Sequence, residues 1–371
     1  MRVAIEALGI DVTGGGRSAT LNLLHALFSR DRESAYAVVL TRPEPTLARY
    51  PNVDQLVSGP IAGLRSRLWA QTLLPVFLRA WGATLVHHVK NLTIAGAPCP
   101  AVVTVHDDTT LRHPELFPRA EVWYWRYVQP LALRAATRVV TISHCAAAEL
   151  AESYRLPPDK LTVVYDSYAP IFTPTAGDPA AVRRRYAIDG TYVLHVGSIS
   201  KKKNLTTLVR AFARLRRRGV VDKLVLVGRV YQKGQDGELP AVVEAEGLVG
   251  DVVFTGSVPD DDLPGLYRGA AATAFPSLHE GFGMVPIEAM ACGTPVVTSR
   301  GGALPEVVGD AALTMTDTLD HAELAALLER AIRDQPCRRE LIARGYERAR
   351  LFTPERAADA TLALYRQVAA G

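Results

Sequence analysis

Short apolar runs rich in β-branched residues alternate along the chain with longer segments of helical periodicity. In the first half the apolar runs cover residues 3–8, 36–40, 84–88, 101–106 and 138–142, and helical patterns cover residues 18–29 and 64–81. Strands that are apolar on both faces and separated by helices are typical of a parallel sheet covered on both sides. The pattern therefore predicts a doubly wound α/β domain.

The alternation stops at residues 166–179, DSYAPIFTPTAGDP, which contain three prolines and no helical period. A second alternation follows, with strands expected at 192–196, 223–227, 252–255, 272–275 and 295–298 and helices at 204–218 and 286–291. We therefore expect a linker and then a second doubly wound domain. Ligands bind beyond the carboxyl ends of the strands in such sheets, so two facing domains would form a cleft between both sets of strand ends.

Composition narrows the class of protein. A chain of 371 residues suits two domains. A net charge of only +4 argues against a nucleic-acid binder. The four cysteines form no CxxC pair, which argues against a zinc site and favours a cytoplasmic protein. The N-terminal MRVAIEALGI is too short for a signal peptide, and we expect no membrane-spanning helix.

The stretch 275–293, FPSLHEGFGMVPIEAMACG, contains the strongest chemical signal. Glu280 and Glu288 flank a glycine loop that leads into a helix. Free backbone N–H groups and the helix dipole at such a point bind phosphate, and the two carboxylates can accept hydrogen bonds from hydroxyl groups. Glu288 lies in an apolar helical stretch, where an acid needs a ligand or a specific donor. The stretch therefore predicts a pocket for a sugar nucleotide.

A run of lysines follows Gly197 at the end of the second domain's first strand. A cation at this position suits a diphosphate, and we favour Lys203, with Lys202 as its rival. Three lysines before a helix are also common on a solvated surface.

A histidine closes the strand 101–106 of the first domain. At this strand end His106 can donate a hydrogen bond to a sugar hydroxyl, although a histidine satisfied by local backbone is the alternative. The remaining candidates are interpreted as structural by default: His87, His88, His113, His144 and His195.

Three glycines, Gly14, Gly15 and Gly16, follow the first strand. They form either a loop that approaches a phosphate or a flexible turn, and the sequence supports both equally. They do not form a GxGxxG fingerprint, which argues against a nicotinamide enzyme.

Three quoted segments resemble one known family. The sequence is similar to the retaining glycosyltransferases of family four in these segments. The first is HEGFGMVPIEAMACGTPVV with the flanking FPS and GGALPEVVGDAAL, and the others are GSISKKKNLTTLVRAFARL and VVTVHD. The resemblance implies an α/β protein of the GT-B fold, with two doubly wound Rossmann-like domains facing across a cleft. It implies an acceptor-binding domain at 1–170, a nucleotide-sugar donor domain at 171–353, and a C-terminal helix at about 354–371 that packs back onto the first domain.

The same resemblance implies roles for individual residues. It makes His106, Glu280 and Lys203 catalytic, with His106 over the donor sugar, Glu280 on the sugar hydroxyls and Lys203 on the leaving diphosphate. It makes Glu288 the acceptor for the ribose hydroxyls. The other implied donor-binding residues are Gly15, Gly16, Gly197, Lys202, Gly256, Val258, Gly281, Phe282, Gly283 and Met284.

The sequence departs from the family pattern at three places. Lys202 stands where the family commonly has arginine, and Ser198 stands where it often has a cation. Because lysine cannot make arginine's bidentate fork, the diphosphate clamp differs here. Asp166 and Ser167 replace the family's usual Asn-Gly.

The implied activity is retaining transfer of a hexosyl unit from a nucleotide diphosphate sugar to a glycan or a lipid-linked saccharide, as in polysaccharide biosynthesis. GDP-mannose, UDP-glucose and UDP-N-acetylglucosamine all fit as donors. No cofactor or metal is expected beyond the donor, since the first domain has no DxD motif; Asp107-Asp108 is the nearest candidate. A sugar-nucleotide epimerase of the same fold and a non-catalytic nucleotide-sugar-binding protein stay open as alternatives.

Residues 64–81 are amphipathic, with Arg65, Arg67 and Arg79 beside Trp69 and Trp81. An ordinary packing helix kinked at Pro75 is favoured over a peripheral membrane contact. A lipid-linked acceptor at the inner face of the membrane would favour the contact instead.

Overall fold

The computed structural model describes residues 1–8, 10, 15–59, 64–89, 94, 96–112, 114, 119–229 and 239–370. The strands are β1 Arg2–Glu6, β2 Ala35–Leu40, β3 Val53–Val57, β4 Leu85–His88, β5 Ala101–Val105, β6 Arg138–Thr141, β7 Leu161–Val163, β8 Tyr192–Val196, β9 Lys223–Val227, β10 Val252–Gly256, β11 Ala272–Phe275, β12 Val296–Thr298 and β13 Ala312–Thr314. The helices are α1 Gly15–Arg30, α2 Leu64–Thr72, α3 Leu74–Trp81, α4 Thr109–Arg112, α5 Arg119–Trp123, α6 Gln129–Ala135, α7 His144–Tyr154, α8 Pro179–Arg185, α9 Leu205–Arg217, α10 Leu239–Ala245, α11 Leu263–Gly269, α12 Met284–Ala291, α13 Leu304–Val308, α14 His321–Arg333, α15 Gln335–Ala349 and α16 Pro354–Ala370.

The chain divides into two compact units. One contains Met1–Ser167 together with the C-terminal segment that begins at Pro354, and the other contains Tyr168–Thr353. The proline-rich stretch after residue 167 packs within the second unit, because the guanidinium group of Arg268 donates to the carbonyl groups of Thr175, Ala176 and Gly177. The sequence predicted this stretch as part of a linker, and the structure gives it ordered contacts with α11.

The first unit contains a parallel sheet with the strand order β3-β2-β1-β4-β5-β6-β7 among its described residues. Side chains that alternate along the strands fill cores on opposite faces: Val3, Ile5 and Val38 lie with α1 and α16, and Ala4 and Val39 lie with α3. Both faces are therefore buried, which explains the continuous apolar strands.

Short polar strands and one helix boundary differ from the sequence prediction. β3 at the sheet edge contains Asp54 and Gln55, and β7 has only three residues, so neither has a strong apolar signal. The helix predicted at 64–81 with a kink at Pro75 is divided in two by one residue in the structure. Two helices, α2 and α3, meet at Leu73, because Pro75 in the first turn of α3 has no N–H to continue the helix from α2.

The C-terminal helix α16 belongs to the first unit, where it packs along α1. Arg30 of α1 donates to both carboxylate oxygens of Asp359, at 2.5 and 2.7 Å. His87 of β4 is hydrogen-bonded to Tyr365 through Nδ1 at 2.6 Å and to Thr104 through Nε2 at 2.7 Å. Burial lowers the pKa of His87 to about 3, so this neutral histidine has the structural role predicted for it.

The second unit contains a parallel sheet with the order β10-β9-β8-β11-β12-β13 among its described residues. Its core includes Val193 and Leu226 from the strands and Leu208 and Phe212 from α9. β13 was missed because it is a partly exposed segment of three residues. Two doubly wound parallel sheets confirm the predicted fold class. No helix in the described part of the chain is both long and apolar enough to cross a membrane.

Candidate functional site

A switch point in the second sheet brings two loops together. β8 lies between β9 and β11, so the chain leaves β8 on one side and returns to it from the other. Loops at the carboxyl ends of the strands that flank such a point form a crevice for ligands. Lys203 lies in the loop after β8, and Glu280 lies in the loop after β11. The N–H of Leu278 donates to the carbonyl of Lys202 at 2.8 Å, which joins the loops directly.

Lys203 and Glu280 form an ion pair at this point. Nζ of Lys203 lies 2.5 Å from Oε1 of Glu280, and Nζ of Lys202 lies 3.8 Å from Oε2. The Lys203 and Glu280 side chains are only 15% and 12% exposed. Burial alone would raise the pKa of Glu280, but the charges of Lys203 and Lys202 outweigh it and hold the pKa below its ordinary value. Glu280 is therefore a carboxylate at neutral pH.

An aromatic wall supports Lys203. Its ammonium group lies 4.7 Å from the centroid of the Phe275 ring, on which the His195 ring stacks at 5.7 Å and 15°. His195 donates through Nδ1 to the carbonyl of Ala274, and burial lowers its pKa to about 4. A neutral histidine therefore adds no charge to the crevice. From the sequence, His195 was predicted to be structural. Its position two residues before Gly197 is the one local signal that it lies beside Phe275 and Lys203.

Gly197 leaves room beside the lysine. Its φ of 141° favours glycine, and a Cβ there would lie 3.4 Å from Cε of Lys203 and 3.5 Å from Nε2 of His195. The space at the end of β8 is therefore bounded by Lys203 and by the edge of the histidine ring.

The glycine loop after Glu280 leads into α12. Gly283 has a φ of 120°, and a Cβ there would lie 2.8 Å from Cδ2 of Leu304. α12 begins at Met284, and its N-cap residue, Gly283, has no side chain to cap the first turn. Free N–H groups at a helix start carry partial positive charge, as an anion site requires. The predicted residues Gly281, Phe282, Gly283 and Met284 thus form one continuous turn from Glu280 into α12.

One further glycine, Gly302, supports this turn. A Cβ at Gly302 would overlap the carbonyl oxygen of Glu280, and the N–H of Ala303 donates to that oxygen at 2.8 Å. The GGALPE segment therefore fixes the backbone on which Glu280 stands. In the sequence this segment carries a family resemblance but no signal of this supporting role.

Glu288 lies in the second turn of α12 and has a specific donor. The hydroxyl group of Tyr267, on α11, donates to Oε2 of Glu288 at 2.7 Å. Burial raises the pKa of Glu288 to about 7, although the Tyr267 hydrogen bond opposes this shift. The sequence predicted a ligand or a donor for this acid but did not identify Tyr267, which is separated from it by 21 residues along the chain.

Two of the implied donor-binding residues, Gly256 and Val258, lie at an edge of the same sheet. Gly256 ends β10, where its carbonyl accepts from the N–H of Gly228 at 2.9 Å, and Val258 follows as a partly buried residue. β10 is two strands away from β8. Their role in binding stays a prediction.

In the first unit, His106 directly follows β5 and is partly buried. Burial raises the pKa of the Asp166 carboxyl group, and the nearby His106 opposes that shift. His106 and Asp166 therefore interact electrostatically in the first unit, and Asp166 stands where the family usually has asparagine.

The predicted glycine loop is wrong for two of its residues. Gly15 and Gly16 lie in the first turn of α1, where the Thr20 hydroxyl donates to the carbonyl of Gly16 at 2.8 Å. The helix begins at Gly15, three residues before the predicted start at residue 18, although glycine has a low helix propensity. Gly14 and His113 lie outside the described residues.

Across the described ranges, no cluster of three or more histidine, cysteine, aspartate or glutamate side chains could hold a metal ion.

Family models match both halves of the chain. Residues 13–167 match the model for glycosyltransferase family 4, and residues 182–348 match the model for glycosyl transferases group 1. O-antigen chain mannosyltransferase B of Escherichia coli is 30% identical over 285 residues, which are 76% of this chain and 74% of that relative. D-inositol 3-phosphate glycosyltransferase of Acidothermus cellulolyticus is 34% identical over 301 residues, which are 78% of this chain and 63% of that relative.

Solved structures share the fold. Sucrose-phosphate synthase from Thermosynechococcus elongatus has a TM-score of 0.78 at 23% identity, covering 100% of this chain and 99% of that one. HepE from Anabaena, solved in complex with UDP-glucose, has a TM-score of 0.77 at 20% identity, covering 99% and 100%. These likenesses and the two parallel sheets establish the GT-B fold. Together with the sequence matches, they show that the chain belongs to the glycosyltransferases of family four.

Proposed function

We propose that this glycosyltransferase moves a hexosyl unit, with retention of configuration, from a nucleotide diphosphate sugar to a hydroxyl group of a glycan or lipid-linked saccharide. One observation carries the proposal: Lys203, Glu280 and the start of α12 converge at the switch point of the second unit. A cation and free amides suit the diphosphate, and a carboxylate suits the sugar hydroxyls.

Donor binding would give Lys203 and Glu280 new hydrogen-bonding partners. In the structure, Lys203 and Glu280 satisfy each other at 2.5 Å. We propose that the diphosphate takes over Lys203 and that sugar hydroxyls take over Glu280. Neither charged group is then left unpaired in a largely buried place, which would be costly.

The proposed catalysis depends on the negative charge that develops on the leaving diphosphate. As the bond from the sugar carbon to the diphosphate breaks, the leaving group gains negative charge. Lys203 and the amides at the start of α12 stabilise this charge more strongly in the transition state than in the ground state. The acceptor hydroxyl attacks from the same face, with the donor phosphate taking its proton. From the family resemblance alone, we propose that His106 donates a hydrogen bond to the donor sugar.

The relatives guide the choice of donor. One relative is named as a mannosyltransferase, which favours GDP-mannose as the donor. HepE was solved with UDP-glucose, so UDP-sugars remain candidate donors as well. The relative that extends an O-antigen chain favours a glycan acceptor in polysaccharide biosynthesis. We place the reaction in the cytoplasm, at the inner face of the membrane when the acceptor is lipid-linked.

The test is a matrix of donors and acceptors with the purified protein. GDP-mannose, UDP-glucose and UDP-N-acetylglucosamine are each incubated with and without saccharide acceptors, and products are identified by mass spectrometry and the anomeric configuration by NMR. A sugar converted without acceptor would indicate the epimerase alternative. A donor bound but never consumed would indicate a non-catalytic binding protein. Parallel reactions with EDTA test the proposal that no metal is needed.

A further inference from the structure

Tyr267 connects the two helices that flank the Glu288 side chain. Its ring is fully buried, and its hydroxyl group donates to Oε2 of Glu288 at 2.7 Å. A phenol has one proton to donate, so this bond is the only one that its O–H can make as a donor. No hydrogen bond to the other oxygen of Glu288, Oε1, comes from a residue in the described ranges.

The tyrosine itself is held in place from two sides. The hydroxyl group of Thr294 donates to the main-chain carbonyl of Tyr267 at 2.6 Å. The ring of Phe172 lies edge-on to the Tyr267 ring, with centroids 5.7 Å apart and planes at 75°. A buried ring fixed in this way cannot follow a movement of Glu288, so the hydrogen bond fixes the carboxylate instead.

We propose that Tyr267 is a positioning residue, which holds one oxygen of Glu288 and presents the other to the ribose hydroxyls of the nucleotide. The inference rests on the proposed function, because it takes the ligand of Glu288 to be a nucleotide. It adds a residue outside the family motif, from a helix that precedes the glycine loop.

The charges around Glu288 give the proposal a readout that packing alone would not change. Burial raises the pKa of Glu288, the Tyr267 hydrogen bond lowers it and the charge of Asp260 raises it, and together they bring it to about 7. Cys292 also faces the group, but burial raises its thiol pKa to about 12, so it stays neutral. Nucleotide affinity should therefore increase as pH rises through about 7. Loss of the tyrosine hydroxyl should move this midpoint to higher pH.

The experiment compares GDP and UDP with their 2′,3′-dideoxy analogues by calorimetry between pH 6 and 8.5. The wild-type protein should bind the preferred ribonucleotide about 10-fold more tightly than its dideoxy analogue. Tyr267→Phe should weaken ribonucleotide binding about three- to tenfold and move the pH midpoint upward, while the affinity for the dideoxy analogue stays within about twofold.

Tyr192→Phe is the matched control. Tyr192 is also fully buried, and its hydroxyl group donates to the carbonyl of Leu266, one residue before Tyr267, at 2.6 Å. This variant loses a buried hydrogen bond of the same kind without contact to Glu288. It should keep the wild-type preference for ribose and the wild-type pH midpoint.

The possible outcomes distinguish the positioning role of Tyr267 from the proposed nucleotide-binding role of Glu288. A wild-type protein with no preference for ribose would overturn the proposed role of Glu288. A wild-type preference that Tyr267→Phe leaves unchanged, or equal losses for both ligands, would overturn the role of Tyr267 alone. If Tyr267→Phe does not fold, 3-fluorotyrosine at position 267 replaces it. The more acidic phenol should then lower the pH midpoint, and an unchanged midpoint would contradict the inference.

Discussion

The ammonium group of Lys203 lies 2.5 Å from the carboxylate of Glu280, so the side chains proposed to bind the diphosphate and the sugar of the donor are paired with each other. The pair keeps both groups charged and in place. It also means that changing either residue alters the other, and experiments on this site need controls for stability.

Lys203→Ala should lower turnover about 10²- to 10³-fold, because the leaving diphosphate loses its cation in the transition state. It should also reduce the free energy of unfolding by about 1–3 kcal/mol, since Glu280 loses its nearest partner. Steady-state kinetics and urea unfolding measure the two effects. Lys201→Ala removes an exposed lysine from the same turn and should change neither. Equal effects of both variants would contradict the assignment to Lys203.

Glu280→Gln should impair both turnover and the choice among donor sugars, because an amide is a weaker acceptor for the sugar hydroxyls than a carboxylate. The ratio of kcat/KM for GDP-mannose, UDP-glucose and UDP-N-acetylglucosamine reports donor choice. Glu246→Gln breaks an ion pair with Arg217 elsewhere in the second unit and serves as the control. Unchanged kinetics in Glu280→Gln would count against the whole donor site.

Gly302→Ala should reduce activity as well as stability, because its new Cβ would overlap the carbonyl oxygen of Glu280 and displace the glycine turn. Gly247→Ala is a close control, since Gly247 has a similar φ, 71° against 62°, with no atom within 4 Å of an added Cβ. Both variants should share the backbone cost of about 1 kcal/mol. Only Gly302→Ala should also lower kcat, and equal activities in the two variants would contradict the supporting role of Gly302.

Glu288→Gln should stabilise the protein at pH 8 and lose this advantage toward pH 5. The folded-state pKa of about 7 lies above the ordinary value of 4.5, so the Glu288 contribution to stability is present below pH 4.5 and is lost as pH rises through 7. Glutamine cannot ionise and avoids this loss, which amounts to about 3 kcal/mol at most. Thermal unfolding across this range measures it. Glu340→Gln changes an exposed acid on α15 and should show no such trend.

His106→Ala should lower kcat with a smaller change in donor affinity, because its proposed hydrogen bond strengthens as charge develops on the sugar. Turnover is compared with donor binding measured by calorimetry. His144→Ala changes an exposed histidine after the neighbouring strand β6 and should behave like the wild-type protein. An unaltered kcat in His106→Ala would remove His106 from the mechanism.

Local patterns in the sequence were sufficient for the fold class and for the residues of the glycine turn. The apolar strands at 101–106 and 192–196 and the acids around Gly281–Met284 are short-range signals, since each depends on neighbours within one element. The same local reasoning failed at β3 and at Gly15, where a polar edge strand and a glycine inside a helix have weak intrinsic preferences.

The sequence by itself determined that a lysine run, two acids and a glycine turn stand at strand ends of a parallel α/β sheet. Only the tertiary structure decided which of them meet. Lys203 is paired with Glu280 across 77 residues of chain, and Glu288 has Tyr267 as its donor, because the strand order places β8 beside β11 and packs α11 against α12. Such partners are set by the packing of distant segments, which no periodicity within a segment can encode.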